Sequence, residues 1–440
     1  MRRVITAALA LLTALSLCAC GTAVQSARDP DSLDATQIDL TGSGARISGG
    51  GASVSGSRVT VSASGAYRLR GTLDNGQIVV DTGEDAGKVT LYLEGAEISC
   101  ADDAAILVRQ ADYTVIYCRE GSENRVCSGT TAADLAPADE SANGAAIFAE
   151  DDLIFDGPGK LTVEGWINNA VTCKDDLEVW SGSLSLSAVN NGLRGSESVS
   201  ICGGELSIQA ANDGIKSSSA KKEGKGYVSI SGGGVAIICQ GDGVSAETAL
   251  TVSGGSLSVL TRGAGDKSSK GLKAGGGISL TGGKVSVSAT DDGVVSPVSV
   301  TVEGGSLAVS AAGDGIQAGE KNGTTGDILI TGGDIRVTAG QDGLDAKGRL
   351  TLTGGTLLSL GSYKRVKSPS DRGTQGYLAA ELVGGAGMAV SICDASGQEL
   401  DAVESPDYGY NLVLYSSSAL TVGAEYTLSA GTRTLRVTAR

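Results

Sequence analysis

An Asp-Gly pair followed by an aliphatic residue recurs between residues 213 and 344 of this chain of 440 residues. The pairs are Asp213-Gly214, Asp242-Gly243, Asp292-Gly293, Asp314-Gly315 and Asp342-Gly343, with Asn191-Gly192 and Lys270-Gly271 at the same position of the pattern. If the chain coils so that these residues stack about 4.8 Å apart, neighbouring carboxylates repel by roughly 1 kcal/mol in water and by about 3 to 4 kcal/mol at an effective dielectric of about 20. The fold must therefore supply something that offsets this repulsion.

Two explanations of the repeated carboxylate remain open from the sequence. An aspartate caps a turn when its carboxylate accepts a backbone amide hydrogen bond and the following glycine takes a positive φ. Calcium is the other explanation, because it takes about six to eight oxygen ligands and binds carboxylates readily. The predicted calcium ligands form one group of Asp291, Asp292, Asp314 and Asp342, with Asp345 nearby, and a second group of Asp213 and Asp242. Lys270 lies between the two groups and is their expected counter-ion.

The residue after the aliphatic position is basic in several repeats. Arg194, Lys216 and Lys273 occupy it and are predicted to face outward beside the carboxylates. Their charged groups would either form ion pairs with the aspartates or bind an anionic sugar. The sequence leaves both roles open.

A repeated strand pattern must position these residues. The stretch from Val199 to Ser217 reads VSICGGELSIQAANDGIKS, two alternating apolar runs that flank a Gly-Gly pair and end at the Asn-Asp-Gly turn. Related stretches begin at Leu153, Leu177, Val199, Val228, Leu250, Ile278, Val300, Ile328 and Leu350, at steps of 22 to 29 residues. Short strands and glycine turns at this period predict an all-β solenoid, in which each coil pairs with the next. The alternation points Val199 and Ile201 inward and Ser200 outward.

The chain divides into five predicted regions. They are residues 1–20, a lipoprotein signal peptide; 21–36, a tether; 37–152, an N-terminal β region and cap; 153–375, nine or more solenoid coils; and 376–440, a C-terminal β cap. Arg2 and Arg3 precede an apolar run too short to cross a bilayer comfortably, and Cys20 is the expected lipidated residue. Caps are expected because both ends of a solenoid expose unpaired backbone.

Composition and charge narrow the class of protein. The chain has 67 glycines, 3% aromatic residues and no histidine, which suits a repetitive all-β body better than a globular enzyme core. Its formal charge is −16, yet residues 153–375 carry 20 basic and 22 acidic residues, so the repeat region is nearly neutral. An acidic chain without a basic tract is not expected to bind nucleic acid. Cys118 and Cys127 are a candidate disulfide, with packing of both as small residues as the alternative.

Several stretches resemble a family of exported bacterial carbohydrate-binding domain-containing proteins. They are SGAYRLRGTLDNGQIVVD from Ser64, NGAAIFAEDDLIFDGPGKLTV from Asn143, NNAVTCKDDLEV from Asn168, NNGLRGSESVSI from Asn190, NDGIKSSSAKKEGKGYVSI from Asn212 and LVLYSSSALTVGAEYTLSAG from Leu412. The resemblance covers about residues 37–435. It implies a right-handed parallel β-helix resembling polysaccharide lyases, calcium binding, and affinity for plant cell-wall glycans, particularly acidic ones such as polygalacturonate.

Carried over to this chain, the resemblance supports Asp175, Asp176, Asp213 and Lys216 as site residues. The chain departs from the family pattern at Asn169-Ala170, where the family would show Asp-Gly, and at Lys270. Both departures interrupt the expected column of calcium ligands.

The sequence leaves three hypotheses of function. The leading one is a lipid-anchored protein of the cell surface that binds uronate-rich plant cell-wall polysaccharide such as pectin, assisted by calcium. Its predicted sugar-binding residues are Lys216, Arg194, Lys273, Asp175 and Asp176. We expect a monomer that meets the membrane only through its anchor. The second hypothesis is a calcium-dependent polysaccharide lyase in which Lys216 or Lys273 takes the proton next to a uronate carboxylate, and the third is a structural surface rod or adhesin.

Overall fold

The computed structural model describes residues 34–440, except 86, 130–143, 264–268, 321–322, 362–368, 371–372 and 405. The predicted signal peptide with Cys20, and most of the predicted tether, lie outside the described residues. Every regular element within the described ranges is a β-strand, as predicted. Over the same ranges, no helix is long and apolar enough to cross a membrane.

The strands wind into a parallel β-helix of about 11 turns, which confirms the predicted solenoid. Three strands make up each regular turn and stack on their equivalents in the neighbouring turns, giving faces A, B and C in chain order. Face A consists of Tyr113–Cys118, Asp152–Asp156, Asp176–Val179, Ser198–Ile201, Tyr227–Ile230, Leu250–Val252, Ile278–Leu280, Ser299–Val302, Asp327–Ile330 and Leu350–Leu352. Face B consists of Glu123–Ser128, Lys160–Gly165, Ser183–Ala188, Glu205–Ala210, Gly234–Cys239, Ser256–Thr261, Lys284–Ala289, Ser306–Ala311, Asp334–Ala339 and Thr356–Gly361. Face C consists of Arg58–Val61, Gln77–Asp81, Ile106–Gln110, Ile147–Ala149, Val171–Cys173, Leu193–Gly195, Ile215–Ser217, Val244–Ala246, Leu272–Ala274, Val294–Ser296, Ile316–Ala318 and Leu344–Ala346.

Inward aliphatic residues form the core of the helix. Val199 pairs in register with Val228, and Ile201 with Ile230, so the same two inward positions repeat from coil to coil. All four side chains are at most 1% exposed. Ser200, which lies between Val199 and Ile201 in the same strand, is half-buried. The predicted alternation is confirmed, and it leaves the outward positions and the turns available for function.

The Gly-Gly pairs form the turns between faces A and B. Gly204 and Gly233 have φ values of +83° and +76°, a region that side chains disfavour. A β-carbon on Gly233 would lie 2.4 Å from the carbonyl oxygen of Gly204 in the preceding coil. Glycine is therefore needed here both for the turn and for the close stacking of the coils.

Antiparallel strands close both ends of the helix, as predicted. At the N-terminal end, Ala45–Ser48 pairs with Thr36–Gly42. At the C-terminal end, Tyr410–Ser416 pairs with Thr356–Gly361 and leads into a separate four-stranded sheet. The remaining strands of these end regions are Ala52–Ser55, Tyr377–Gly384, Val390–Cys393, Glu399–Val403, Glu425–Ala430 and Arg433–Thr438.

Parallel pairing begins upstream of the predicted first coil. Gly65–Leu73 pairs in parallel with Val89–Cys100, which in turn pairs with the first strand of face A. Long strands of this kind run across both face A and face B, because Val89–Cys100 also pairs with Glu123–Ser128. The region predicted as 37–152 thus shares its sheets with the repeat region, although its coils do not show the regular period.

The candidate disulfide between Cys118 and Cys127 is not present. Both thiols are free and buried. Cys118 belongs to the core inside the helix, whereas Cys127 follows the core residue Val126 and so points to the other side of the wall. Burial raises the pKa of Cys118 to about 12 and that of Cys127 to about 11.

Candidate functional site

The Asp-Gly turns form a hydrogen-bonded row where each coil enters face C. One carboxylate oxygen, Oδ1, accepts a hydrogen bond from the backbone amide of the equivalent residue in the next coil. The bonds run from Asp242 to Asp213 at 2.8 Å, from Lys270 to Asp242 at 2.9 Å, from Asp314 to Asp292 at 2.8 Å and from Asp342 to Asp314 at 2.9 Å. We call this row the turn ladder. The backbone explanation of the repeated aspartate is therefore confirmed, with the donor in the next coil.

The glycine after each ladder residue serves packing and not a positive φ. Gly214 and Gly243 are absent from the residues with left-handed backbone, which corrects the sequence-based expectation. A β-carbon on Gly214 would lie 2.3 Å from Cγ2 of Ile237 and 2.6 Å from the carbonyl oxygen of Gly243. The turn passes so close to the core and to the next coil that only glycine fits.

Asparagines continue the turn ladder toward the N-terminus. The amides of Asn191 and Asp213 donate to Oδ1 of Asn169 and of Asn191, at 2.9 and 3.1 Å. The side-chain amides also bond to one another, with Nδ2 of Asn191 3.0 Å from Oδ1 of Asn169 and Nδ2 of Asn190 2.8 Å from Oδ1 of Asn168. The sequence analysis placed Asn191 in the turn pattern, but it missed the bonds between the asparagine side chains, although the Asn-Asn doublet recurs after 22 residues.

The two halves of the ladder support the backbone equally but differ in charge. Asparagine and aspartate have the same shape, and the Oδ1 of either accepts an amide hydrogen bond. The second side-chain group is a neutral donor in the asparagine half and an anionic oxygen, Oδ2, in the aspartate half. The turn itself therefore does not require the charge. Each buried carboxylate needs a cation or a proton, because burying an unpaired charge is costly.

The middle residues of the face C strands form one row along the helix, which we call the outward row of face C. It consists of Arg194, Lys216, Ser245, Lys273, Val295, Gln317 and Asp345. Two of its lysines form ion pairs with ladder carboxylates. Nζ of Lys216 lies 3.3 Å from Oδ2 of Asp213, and Nζ of Lys273 lies 2.9 Å from Oδ2 of Asp242. Burial raises the pKa of Asp213, and the charge of Lys216 opposes that rise. The predicted second group of calcium ligands is thus a pair of ion pairs, and both lysines have the ion-pair role that the sequence left open.

Lys270 is the counter-ion of Asp291 and Asp292, as predicted. Its Nζ donates to Oδ2 of both carboxylates at 2.8 Å. Burial lowers the pKa of Lys270, but the hydrogen bonds to the two carboxylates outweigh that effect and raise it above its ordinary value. An ammonium group therefore occupies the space between these two predicted calcium ligands.

Three buried carboxylates come together at the C-terminal end of the ladder. One oxygen from each of Asp314, Asp342 and Asp345 lies within 4.8 Å of the others, and the residues are only 6%, 3% and 2% exposed. Asp314 and Asp342 belong to the ladder, whereas Asp345 stands in the outward row of face C. In the part of the chain that the structure describes, this is the one group of three or more side chains that could hold a metal. We call it the carboxylate triad.

Neighbouring groups balance part of the charge of the triad. Lys347 forms an ion pair with Asp345, and the side-chain amide of Gln317 donates to Asp314 at 3.3 Å and to Asp345 at 3.4 Å. Burial raises the pKa of Asp314 from 3.8 to about 6; the amide hydrogen bond from Asp342 opposes this rise and the nearby carboxylates add to it. The triad therefore brings three carboxyl groups together beside the ammonium group of Lys347.

A groove of about 500 Å³ runs along the aspartate half of the ladder. Its charged and amide lining residues are Lys270, Lys273, Asp291, Asp292, Asp314, Gln317, Glu320 and Gln341. Cations and carboxylates share this groove, so it offers contacts both to an anionic group and to a metal ion that bridges to one.

The structure places the other predicted sugar-binding residues outside this groove. Arg194 pairs in register with Lys216 on face C, in coils that precede the groove. Asp175 and Asp176 lie after a face C strand, at the end opposite the turn ladder. There Lys225 is 2.6 Å from Asp176 and Lys222 is 3.9 Å from Asp175. These two acids hold the loop that carries both lysines.

Residues 55–312 and 265–407 match the family described as carbohydrate-binding domain-containing proteins. The chain belongs to this family. A relative of the same description from Acetivibrio thermocellus is 32% identical over 124 residues, which are 28% of this chain and 43% of the relative. The match therefore spans less than half of that relative. A solved polysaccharide lyase-like protein from C. thermocellum, a gadolinium derivative, is 30% identical with a TM-score of 0.49, over 57% of this chain and 99% of the other.

The ranges that match the family contain the candidate site. The first range includes the ladder from Asn169 to Asp292, and the second includes Asp314, Asp342 and Asp345. Both the turn ladder and the carboxylate triad therefore lie in the part of the chain that is similar to the family.

Proposed function

We propose that this protein is anchored at the cell surface and binds uronate-rich plant cell-wall polysaccharide with the assistance of calcium. Membership of the family supports a carbohydrate partner. The acidic ligand and the role of calcium are supported by one observation, which is that the turn ladder changes from asparagine to aspartate along its length. Asn191 performs the backbone role without charge, so the charge of the triad needs a reason other than the fold.

The carboxylate triad fits calcium. Calcium holds oxygen ligands at about 2.3–2.6 Å, so two ligands on opposite sides of one ion are about 5 Å apart. The oxygens of Asp314, Asp342 and Asp345 lie within 4.8 Å of one another, and the side-chain amide of Gln317 is adjacent. These residues would hold the ion, which would supply positive charge that coordinates a sugar carboxylate and its hydroxyls.

The groove beside the triad would receive the polysaccharide. Lys273 lines it and its side chain is 43% exposed, so the ammonium group can contact a sugar while it stays close to Asp242. Lys270 also lines the groove, but its side chain is only 19% exposed and is held by two carboxylates. Lys273 is therefore the cation that we expect to contact a uronate.

A pull-down with and without a chelator tests this proposal. Polygalacturonate, xylan and cellulose are compared as insoluble ligands in calcium or in EDTA, with wild-type protein and with the D342N/D345N variant. We expect calcium-dependent capture on polygalacturonate that the double variant loses by at least about tenfold, or about 1.4 kcal/mol. Glu123→Gln removes an exposed carboxylate of face B and serves as the control.

Two outcomes would contradict the proposal. If EDTA does not weaken the capture on polygalacturonate, calcium has no part in the binding. Equal absence of binding to all three glycans would remove the acidic ligand and leave the structural surface rod as the better explanation.

A polysaccharide lyase is the second candidate, because potential calcium ligands and lysines share one groove. A catalytic base must be able to accept a proton. The carboxylates of Asp291 and Asp292 keep Lys270 protonated by raising its pKa, while Lys216 and Lys273 are held in ion pairs. We expect no ultraviolet-absorbing unsaturated product from polygalacturonate and calcium. Product that disappears in a Lys273→Ala variant would establish the lyase instead.

The signal sequence is what supports the proposed surface location. A diacylated Cys20 would tether the protein to the outer face of a membrane. Substitution of Cys20 by alanine should therefore abolish the incorporation of a labelled fatty acid into the protein, and label retained by the variant would contradict the anchor.

A further inference from the structure

A second groove lies where face B turns toward face C. It is lined by Trp166, Gln209, Ile238, Gln240 and Arg262, and its volume is about 360 Å³. The groove spans five successive coils, whose face B strands pair in parallel in register, and these five residues come from four of them. Four coil spacings of about 4.8 Å make the groove about 19 Å long. It runs along the axis of the helix, on a different surface from the triad groove.

The size of the side chains at one turn position creates this groove. Trp166, Val189, Ala211, Gln240 and Arg262 each follow the last residue of a face B strand, and the amides of the last three bond to the preceding coil at 3.1, 3.1 and 2.7 Å. Val189 is only 2% exposed and Ala211 is small, so a hollow opens between the indole at one end and the long polar side chains at the other. The floor includes Cys239, which is 1% exposed. The volume falls within the range of about 300–1,000 Å³ that is usual for ligand sites.

The lining groups match the chemistry of a sugar. An indole ring such as that of Trp166 offers a flat apolar surface, on which the C–H face of a pyranose can stack. Ile238 is 38% exposed on face B and extends that apolar surface. The side-chain amides of Gln209 and Gln240 can each donate and accept, as sugar hydroxyls do.

The ligand is expected to be uncharged. No carboxylate is found among the described residues that line this groove, so it offers no site for calcium. Arg262 is its one described cation, and a guanidinium donates to neutral oxygens as well as to carboxylates. We infer that this groove binds a linear, uncharged oligosaccharide segment independently of calcium, while the triad groove takes the acidic one.

The two tryptophans of the chain make a direct test possible. In a Trp180→Phe background Trp166 is the one remaining tryptophan, and excitation at the red edge of the absorption band separates its emission from that of the tyrosines. The probes are hexamers of β-1,4-linked glucose, β-1,4-linked xylose and galacturonate, titrated in EDTA. We expect at least one uncharged hexamer to change the emission of Trp166, and the Q209A/Q240A variant to weaken that binding by at least about tenfold, or about 1.4 kcal/mol.

Matched variants distinguish this groove from the triad groove. Gln317→Ala removes an amide beside the triad, and D342N/D345N removes two of its charges; neither should change the titration of Trp166. No emission change with either uncharged hexamer, or unchanged binding in Q209A/Q240A with unaltered circular dichroism, would overturn the inference. Stronger binding of the galacturonate hexamer in EDTA would also overturn it. These results leave the calcium-dependent capture of polygalacturonate as a separate test, so either idea can fail alone.

Discussion

Replacing Asp314 with asparagine separates the backbone role of the ladder from its charge. The asparagine keeps an Oδ1 that can accept the amide of Asp342, a hydrogen bond of 2.9 Å in the native protein. Asn191 already plays this part for Asp213 in the same ladder. The substitution should therefore preserve the turn and remove one buried negative charge.

The pKa of Asp314 sets the magnitude and the sign of the effect. Burial raises it from 3.8 to about 6, which at about 1.36 kcal/mol per pKa unit corresponds to at most about 3 kcal/mol. The folded pKa lies above the unfolded one, so the contribution of this group is fully present below about pH 4 and is lost as the pH rises through about 6. Without calcium, D314N should raise the free energy of unfolding by about 1–3 kcal/mol at neutral pH and change it little below about pH 4.

Urea unfolding followed by circular dichroism, in EDTA and in calcium, measures both effects. Calcium should stabilise the wild type, by about 2.7 kcal/mol at a hundred times its Kd, and should stabilise D314N less. Asp242→Asn is the matched control, because Oδ2 of Asp242 lies 2.9 Å from Lys273 and the substitution breaks that ion pair. In EDTA, the free energy of unfolding of the Asp242→Asn variant should not exceed that of the wild type. A D314N variant that is less stable than wild type at neutral pH in EDTA, or that keeps the wild-type pH profile, would refute the reasoning.

Two further substitutions test the ladder. Asn191→Asp removes a donor that lies 3.0 Å from Oδ1 of Asn169 and adds a buried charge, so it should lower the free energy of unfolding by about 1–3 kcal/mol at neutral pH and less in acid; unchanged urea midpoints would contradict this. Lys270→Met leaves Asp291 and Asp292 without their shared ammonium group and should cost about 1–3 kcal/mol, whereas Lys270→Arg should cost less. Equal losses in the two Lys270 variants would show that packing, and not charge, explains its effect.

The architecture could be predicted because its signals are local. Alternation along Val199–Ile201 follows from the period of a strand, and the recurrence of the Gly-Gly turn marks one coil after another. The coils before residue 153 escaped the prediction because strands such as Val89–Cys100 run across two faces without a Gly-Gly turn between them. The pattern that marks a coil is therefore absent there, although the pairing is the same.

The partners of the carboxylates could not be predicted, because they depend on the stagger between coils. Spacing groups Asp291 and Asp292 with Asp314, yet Lys270 from the preceding coil lies between the first two carboxylates. Asp345 joins the triad from a different row of the coil. Which side-chain atoms meet across a step of 22 or 28 residues is set by three-dimensional packing. A one-dimensional pattern identifies the candidates but not their partners.

The balance of charge along the turn ladder localises the calcium hypothesis. The outward row of face C supplies Lys216 to one ladder aspartate and Lys273 to the next. Further along, the same row carries Gln317 and then Asp345, while the ladder still carries a carboxylate at Asp314. The last lysine of the row is therefore Lys273, and Val295 and Gln317 separate it from Asp345. If a cation from solution binds the ladder, as we propose, the triad is the place where three carboxylates could hold it. That proposal is one calcium ion at the triad and not the column of ions that the repeated Asp-Gly motif first suggests.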